Sequence, residues 1–175
     1  MPKIRPGMRP PPKGFDVVSD ALDAFEQQMK DAVNDTADGK GKGEAMWAIS
    51  SINFRRTRHL FDLCFKTKEI SREVLDYCAA MGFIDAGLVK RWRIPGYERL
   101  CCVTCVTPSA TNSGGSCVCR VPPGQRRVKG GPCKICGCTG CCSGAKKSAP
   151  PQDESLPALA PEPKDGDLFP KGGTT

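Results

Sequence analysis

Ten of the twelve cysteines crowd into residues 101–142. They read Cys101-Cys102-x2-Cys105, then Cys117-x-Cys119, then Cys133-x2-Cys136-x-Cys138-x2-Cys141-Cys142. A Cys-x2-Cys pair lets a tight turn bring two thiolates onto one tetrahedral metal, at about 2.3 Å from each sulfur. No histidine lies in the block, so its ligand set is all sulfur, which selects zinc or iron–sulfur chemistry. The start of the chain lacks the apolar stretch of a signal peptide, so reduced, metal-bound cysteines are expected rather than disulfides.

The adjacent and Cys-x-Cys spacings point to shared ligands. Neighbouring sulfurs there aim in different directions, which suits metals that hold cysteines in common. Three tetrahedral zincs need twelve sulfur contacts, about four each. Nine cysteines supply them if six bind one zinc and three bridge two. Two isolated sites would use eight cysteines and strand two. A single four-cysteine iron–sulfur cluster would leave most of the set idle, and a metallothionein-like store does not fit a chain that is helical and aromatic over 15–100. Three zincs and nine thiolates sum to −3, which needs compensation nearby. Residues 101–144 hold five bases and no acid: Arg120, Arg126, Arg127, Lys129 and Lys134.

Other chemistries find little support. His59 is the only histidine, and a Cys–His nucleophile would need it beside Cys64 or Cys78, which sit among apolar helical residues. No phosphate-binding glycine loop, carboxylate dyad or nucleophile motif occurs, so no catalytic residue is assigned. No run of about 18 apolar residues exists to cross a membrane.

A segment such as 101–144, rich in glycine and poor in large apolar groups, cannot offset its own ordering entropy of roughly 1–2 kcal/mol per residue. Coordinate bonds must hold it, and helices must position it. The first helix is expected from a Ser19 N-cap, with Leu22, Phe25, Met29 and Val33 on one face. The second runs from about Glu44 to Phe65. It carries one stripe of Ile49, Ile52, Leu60 and Leu63 and another of Trp47, Phe54, Phe61 and Phe65, so it is packed on two sides. Ser71 caps a third helix, with Val74, Cys78 and Met81 on a face and Gly82 at its end. A fourth spans Asp85 to Trp92, presents Leu88 and Trp92, and is broken by Pro95-Gly96. The chain thus divides into an extended basic arm (1–14), a helical region (15–100), a cysteine module (101–144) and an aperiodic tail (145–175) expected to be disordered. The fold class is a mostly α N-terminal region followed by an irregular zinc-cluster module.

Net charge is +7. Four bases and no acid in residues 1–14, with the basic cysteine module, suggest a polyanionic partner. Arg55, Arg56 and Arg58 on the second helix, and Arg126, Arg127 and Lys129 in the module, are the candidate contacts to RNA or a partner protein.

Three stretches carry a resemblance: Thr57-Arg58-His59-Leu60-Phe61-Asp62-Leu63, residues 70–78, and Gly96-Tyr97-Glu98-Arg99-Leu100-Cys101-Cys102. With Cys117-Val118-Cys119-Arg120-Val121-Pro122 and residues 136–141, they resemble the small eukaryotic splicing-factor family called G-ten, or bud-site-selection protein thirty-one. The resemblance covers about residues 10–144. It implies a nuclear, non-enzymatic structural component of the activated spliceosome, near the catalytic small nuclear RNAs and the large central scaffold protein. It also implies zinc ligation by Cys101, Cys102, Cys105, Cys117, Cys119, Cys133, Cys136, Cys138 and Cys141. The cluster is similar to one that precedes the catalytic domain of some histone methyltransferases, but no such domain follows here. Three features depart from the family pattern: an extra Cys142 before Ser143-Gly144, the tail that follows, and a basic targeting stretch diluted to Lys3, Arg5 and Arg9. The competing class is a free nucleic-acid-binding zinc protein acting as a transcription cofactor. A cysteine block without an aromatic residue argues against a self-sufficient base reader.

Overall fold

The computed structural model describes residues 9–35, 42–111, 115, 117–122, 125–126 and 131–143. These residues form four helices, α1 (Asp16–Asp35), α2 (Lys42–Phe65), α3 (Arg72–Ala80) and α4 (Ala86–Trp92). Three short 3-10 turns follow, at Thr104–Val106, Pro108–Ala110 and Val118–Arg120. No strand occurs among the described residues, so the chain is helical with an irregular cysteine-rich end.

Helix α1 begins earlier than the expected Ser19 cap. Phe15, Val18 and Leu22 are all buried, at i, i+3 and i+7, so the stripe that docks the helix already needs helical backbone at Asp16. Ser19 therefore lies inside the first turn, and its hydroxyl donates back to the Asp16 carbonyl at 3.0 Å. The extended basic arm expected over residues 1–14 is described only from Arg9 onward. Its residues 1–8 lie outside the described set, but the Arg9 carbonyl accepts the Tyr77 hydroxyl at 2.9 Å. Tyr77 in turn meets Phe15 edge-on, with ring centroids 5.5 Å apart.

Helix α2 is the spine, and both of its stripes are used. Leu60 and Leu63 join Phe15, Val18, Leu22, Val74, Leu75 and Cys78 in a first apolar core with α1 and α3. Phe54 and Phe61 face the other way and meet Trp92 edge-on, at 5.5 and 5.4 Å between centroids. Phe65 departs from its expected stripe and packs against the first core, its ring 4.7 Å from that of Phe61.

The short helices end as their sequences require. The Ser71 hydroxyl accepts the Val74 N–H at α3. At the other end, Gly82 adopts a left-handed φ of +74°. That conformation lets the Phe83 N–H reach the Cys78 carbonyl at 2.9 Å and the Gly82 N–H reach Ala79 at 3.1 Å, closing the exposed carbonyls. Asp85 caps α4 through the Leu88 N–H at 3.1 Å. The buried Thr57 fixes where α4 starts. Its hydroxyl donates to the Asn53 carbonyl at 2.8 Å and accepts the Asp85 N–H at 3.1 Å.

The second core decides where the cysteines sit. Leu88, Trp92 and Leu100 pack directly against Cys101, Cys105, Cys117, Cys119, Cys133, Cys136 and Cys141. The Trp92 indole N–H donates to the Leu100 carbonyl at 2.9 Å, fastening the chain one residue before the first cysteine. Composition changes at residue 100, but the apolar cluster runs across it.

Candidate metal centre

No disulfide joins any of the twelve cysteines. Nine of the ten in the block have sulfurs that fall into three quartets, the four sulfurs of each within 4.8 Å of one another. The first is Cys101, Cys119, Cys138 and Cys141; the second Cys101, Cys102, Cys105 and Cys136; the third Cys105, Cys117, Cys119 and Cys133. Each pair of quartets shares one residue. Cys101 joins the first and second, Cys105 the second and third, and Cys119 the first and third. Three shared and six unshared sulfurs give the twelve contacts expected from the cysteine count. A further triad, Cys133, Cys136 and Cys138, takes one unshared member from each quartet.

The spacings fit a tetrahedral ion. Zinc–sulfur bonds of about 2.3 Å require sulfurs about 3.8 Å apart along a tetrahedral edge. Observed separations are 3.9 Å for Cys101–Cys119, 3.8 Å for Cys105–Cys133, 3.9 Å for Cys105–Cys136 and 3.6 Å for Cys119–Cys141. Cys102–Cys105 and Cys117–Cys133 are closer, at 3.4 Å.

The backbone that sets these distances is short and local. The turn Thr104–Val106 brings Cys105 back beside Cys102, held by the Val106 N–H on the Val103 carbonyl at 3.0 Å. The Cys117 N–H donates to the Cys105 carbonyl at 3.0 Å, and the Cys141 N–H to the Cys119 carbonyl at 3.0 Å. Those two bonds lash together three segments that are remote in sequence. Around Cys133, the Cys133 N–H reaches the Cys138 carbonyl at 2.8 Å and the Gly137 N–H reaches Cys133 at 2.7 Å. Gly137 needs its glycine twice. Its φ is +72°, and a Cβ there would lie 2.7 Å from the Trp47 ring.

Crowded sulfurs cannot all ionise unless a cation sits among them. Hydrogen bonding to Cys102 holds the Cys101 thiol far above its usual range. Burial pushes Cys133 up to about 12. Bonds from Cys101, first among their neighbours, hold Cys119 and Cys136 well below the thiol range and bring Cys141 down to about 7. Divalent ions among the sulfurs would let the whole set ionise. Cys142 belongs to no quartet, as its surplus place in the count suggested. Cys64 and Cys78 lie in the first core, where burial pushes Cys78 up to about 12, and His59 sits instead beside the Phe25 ring at 6.1 Å.

Residues 1–143 match the family described as pre-mRNA-splicing factor BUD31. The chain belongs to that family. Protein BUD31 homolog of Danio rerio is 42% identical over 142 residues, covering 81% of this chain and 99% of the relative. Pre-mRNA-splicing factor BUD31 of Saccharomyces cerevisiae is 36% identical over 155 residues, and pre-mRNA-splicing factor cwf14 of Schizosaccharomyces pombe 35% over 149. Each covers 82% of this chain and 99% of its own length. The stretch this BUD31-family chain adds, residues 144–175, lies beyond the match.

The arginines of this BUD31-family chain take up different tasks. Arg58 pairs with Asp62 at 3.1 Å and donates to the Glu98 carbonyl at 2.9 Å. Its guanidinium also lies over the rings of Phe61 and Trp92, at 5.3 and 5.1 Å. Arg56 is half-buried and donates to Asn53 at 3.1 Å; desolvation lowers its pKa, against the pull of Glu26. Arg55 is exposed. Arg126 donates to the carbonyls of Val121 at 2.9 Å, Thr139 at 3.0 Å and Cys119 at 3.4 Å. Arg58 and Arg126, expected as contacts for RNA or a partner, are thereby engaged within the chain. Arg127 and Lys129 lie outside the described residues. Arg120 spans from the Cys141 carbonyl to the Gly96 carbonyl, both at 2.7 Å, and lies over Tyr97 at 4.6 Å. Arginine serves these roles because its rigid fork can satisfy several carbonyls at once.

Two contacts had no signal in the sequence. The Trp47 indole N–H donates to the Lys134 carbonyl at 3.2 Å, bringing the start of α2 onto the cysteine module from 87 residues away. Glu98 accepts the Gly96 N–H at 2.9 Å and the Ser143 hydroxyl at 2.7 Å. Those bonds hold its carboxyl below the usual range, the one from Ser143 most.

Proposed function

We propose that the chain is a non-enzymatic pre-mRNA splicing factor, a nuclear structural component of the activated or catalytic spliceosome, and that its nine quartet cysteines hold three zinc ions. The three quartets sharing Cys101, Cys105 and Cys119 carry the metal part of this reading. The names of the relatives, pre-mRNA-splicing factor BUD31 and pre-mRNA-splicing factor cwf14, carry the splicing part.

Zinc would act here as a cross-link. It ties together segments whose own side chains bury too little apolar area to hold them, and the resulting platform is fixed to α2 and α4 through Trp47 and Trp92. Residues 101–144 are accordingly one metal-dependent module, although it shares its core with the helices. The proposed partners are the spliceosomal small nuclear RNAs and the large central scaffold protein. With Arg56, Arg58 and Arg126 engaged internally, Arg55, Arg127, Lys129 and the basic arm are the proposed phosphate contacts. Such contacts are sequence-independent and salt-sensitive.

Native mass spectrometry of the purified chain, with co-sedimentation of tagged protein with splicing complexes at rising salt, tests both halves. Three zincs and salt-resistant co-sedimentation are expected. Two zincs would refute the shared cluster, and a chain that never sediments with splicing complexes would refute the assembly role.

A further inference from the structure

The nine quartet cysteines are not equally reachable. Seven of them are buried, at 8% exposure or less, and Cys102 and Cys138 alone are half-buried. Ions among the sulfurs add cover and remove none, so the seven stay buried when the centre is loaded. The two open residues belong to different quartets, Cys102 to the second and Cys138 to the first, and neither is shared. Each therefore serves one ion. A thiolate that donates to one cation keeps more charge, and so more nucleophilicity, than one that bridges two. The bridging residues Cys101, Cys105 and Cys119 are all buried. The third quartet, Cys105, Cys117, Cys119 and Cys133, has no half-buried member at all. Reactivity and access thus fall on the same two sulfurs.

We propose that Cys102 and Cys138 are modification sites for soft electrophiles of the α,β-unsaturated carbonyl class, and that their modification frees two of the three ions while the third stays in place. The proposal rests on the three-zinc reading above. The Sγ lone pair of Cys102 or Cys138 forms a bond to the β-carbon of the electrophile, and the α-carbon takes a proton from water, leaving hydroxide. The thiolate becomes a neutral thioether, which is a poor ligand for zinc because the thiolate is the binding form. The first and second quartets each fall to three thiolates. The third keeps its four, because neither modified residue belongs to it, and the Cys117 N–H still holds the Cys105 carbonyl at 3.0 Å. The one-zinc chain is thus a complete site with a loosened edge. Cys136, Cys138 and Cys141 serve only the first two quartets, so the segment after Cys133 loses every metal bond. Electrophile stress would open that segment first and spare the link between Cys105, the 117–119 turn and Cys133.

A time course of the zinc-loaded full chain with N-ethylmaleimide tests the proposal. Adducts are localised by peptide fragmentation, and zinc is counted by native mass spectrometry at each time. Among the nine quartet residues, Cys102 and Cys138 should gain adducts at least about tenfold faster than any other, since a buried sulfur reacts only through local opening. The zinc count should fall from three to one, and the one-zinc chain should keep Cys117 and Cys133 unmodified. Adducts at Cys117 or Cys133 as fast as at Cys102, or all three zincs leaving together, would overturn it. Adducts on both open residues with all three zincs retained would overturn it as well. Three zincs before treatment, followed by any of these results, strike this proposal alone. Fewer than three before treatment refute the shared cluster, and this proposal with it.

Discussion

Replacing Arg126 with Ala should loosen the metal module without touching a cysteine. The guanidinium joins carbonyls of two segments of the cysteine module, those of Val121 and Cys119 on one and Thr139 on the other. Bonds of 2.9 and 3.0 Å are of full strength, while the 3.4 Å bond to Cys119 lies beyond the usual range. Hydrogen bonds from a charged donor contribute about 1.5–3 kcal/mol each. Arg126 is half-exposed, so solvent competition brings the two strong bonds down to about 2 kcal/mol together. If zinc leaves through local opening of this clamp, that is about a 30-fold faster release. The assay is the rate of zinc transfer to an excess of colorimetric chelator from the full chain. Arg126→Lys keeps the charge but not the fork, and should recover only part of the loss. Release from Arg126→Ala within about twofold of wild type, the range of an ordinary surface substitution, would refute the clamp.

Shared and unshared cysteines should differ in zinc content measured by native mass spectrometry: Cys119→Ala depletes two quartets and should lose more metal than Cys117→Ala, which depletes one. Equal losses would argue for separate sites. Gly137→Ala combines a left-handed φ with a Cβ 2.7 Å from Trp47, whereas Gly82→Ala meets only the φ penalty, with nothing within 4 Å. Thermal melts should show about 1 kcal/mol of destabilisation for Gly82→Ala and clearly more for Gly137→Ala. Chelating the proposed zinc should disturb Trp92, which packs against the cysteines, while the first core keeps most of the helical signal. Near-ultraviolet dichroism should fall well before far-ultraviolet dichroism, and simultaneous loss of both would mean that the two cores melt as one unit.

The periodicity of the chain settles the helices because their apolar stripes are local: Leu60 and Leu63 on one side of α2 and Phe54 and Phe61 on the other are legible from spacing alone. The Ser71 cap, the Gly82 terminus and the Leu88–Trp92 face are equally local, since cap and turn chemistry acts over three or four residues. Ser19 misled for the same reason. Its type suits a cap, but burial of Phe15 and Val18 in the first core, a tertiary demand, starts the helix at Asp16.

The cysteine count and spacings likewise contain the twelve-contact arithmetic, because coordination number is a property of the ion and not of the fold. Which cysteines are shared is not in the spacing. Cys101, Cys105 and Cys119 acquire that position only when the Cys117–Cys105 and Cys141–Cys119 backbone bonds bring remote segments into register. The sequence offers Arg126 as a free positive charge, but the fold surrounds it with carbonyl groups, and a carbonyl belongs to every residue and leaves no mark in a sequence. Trp47 is the plainest case. Its place in an apolar stripe was readable, whereas its contact with Gly137 and Lys134 depends on where two distant segments meet, which only the packed chain determines.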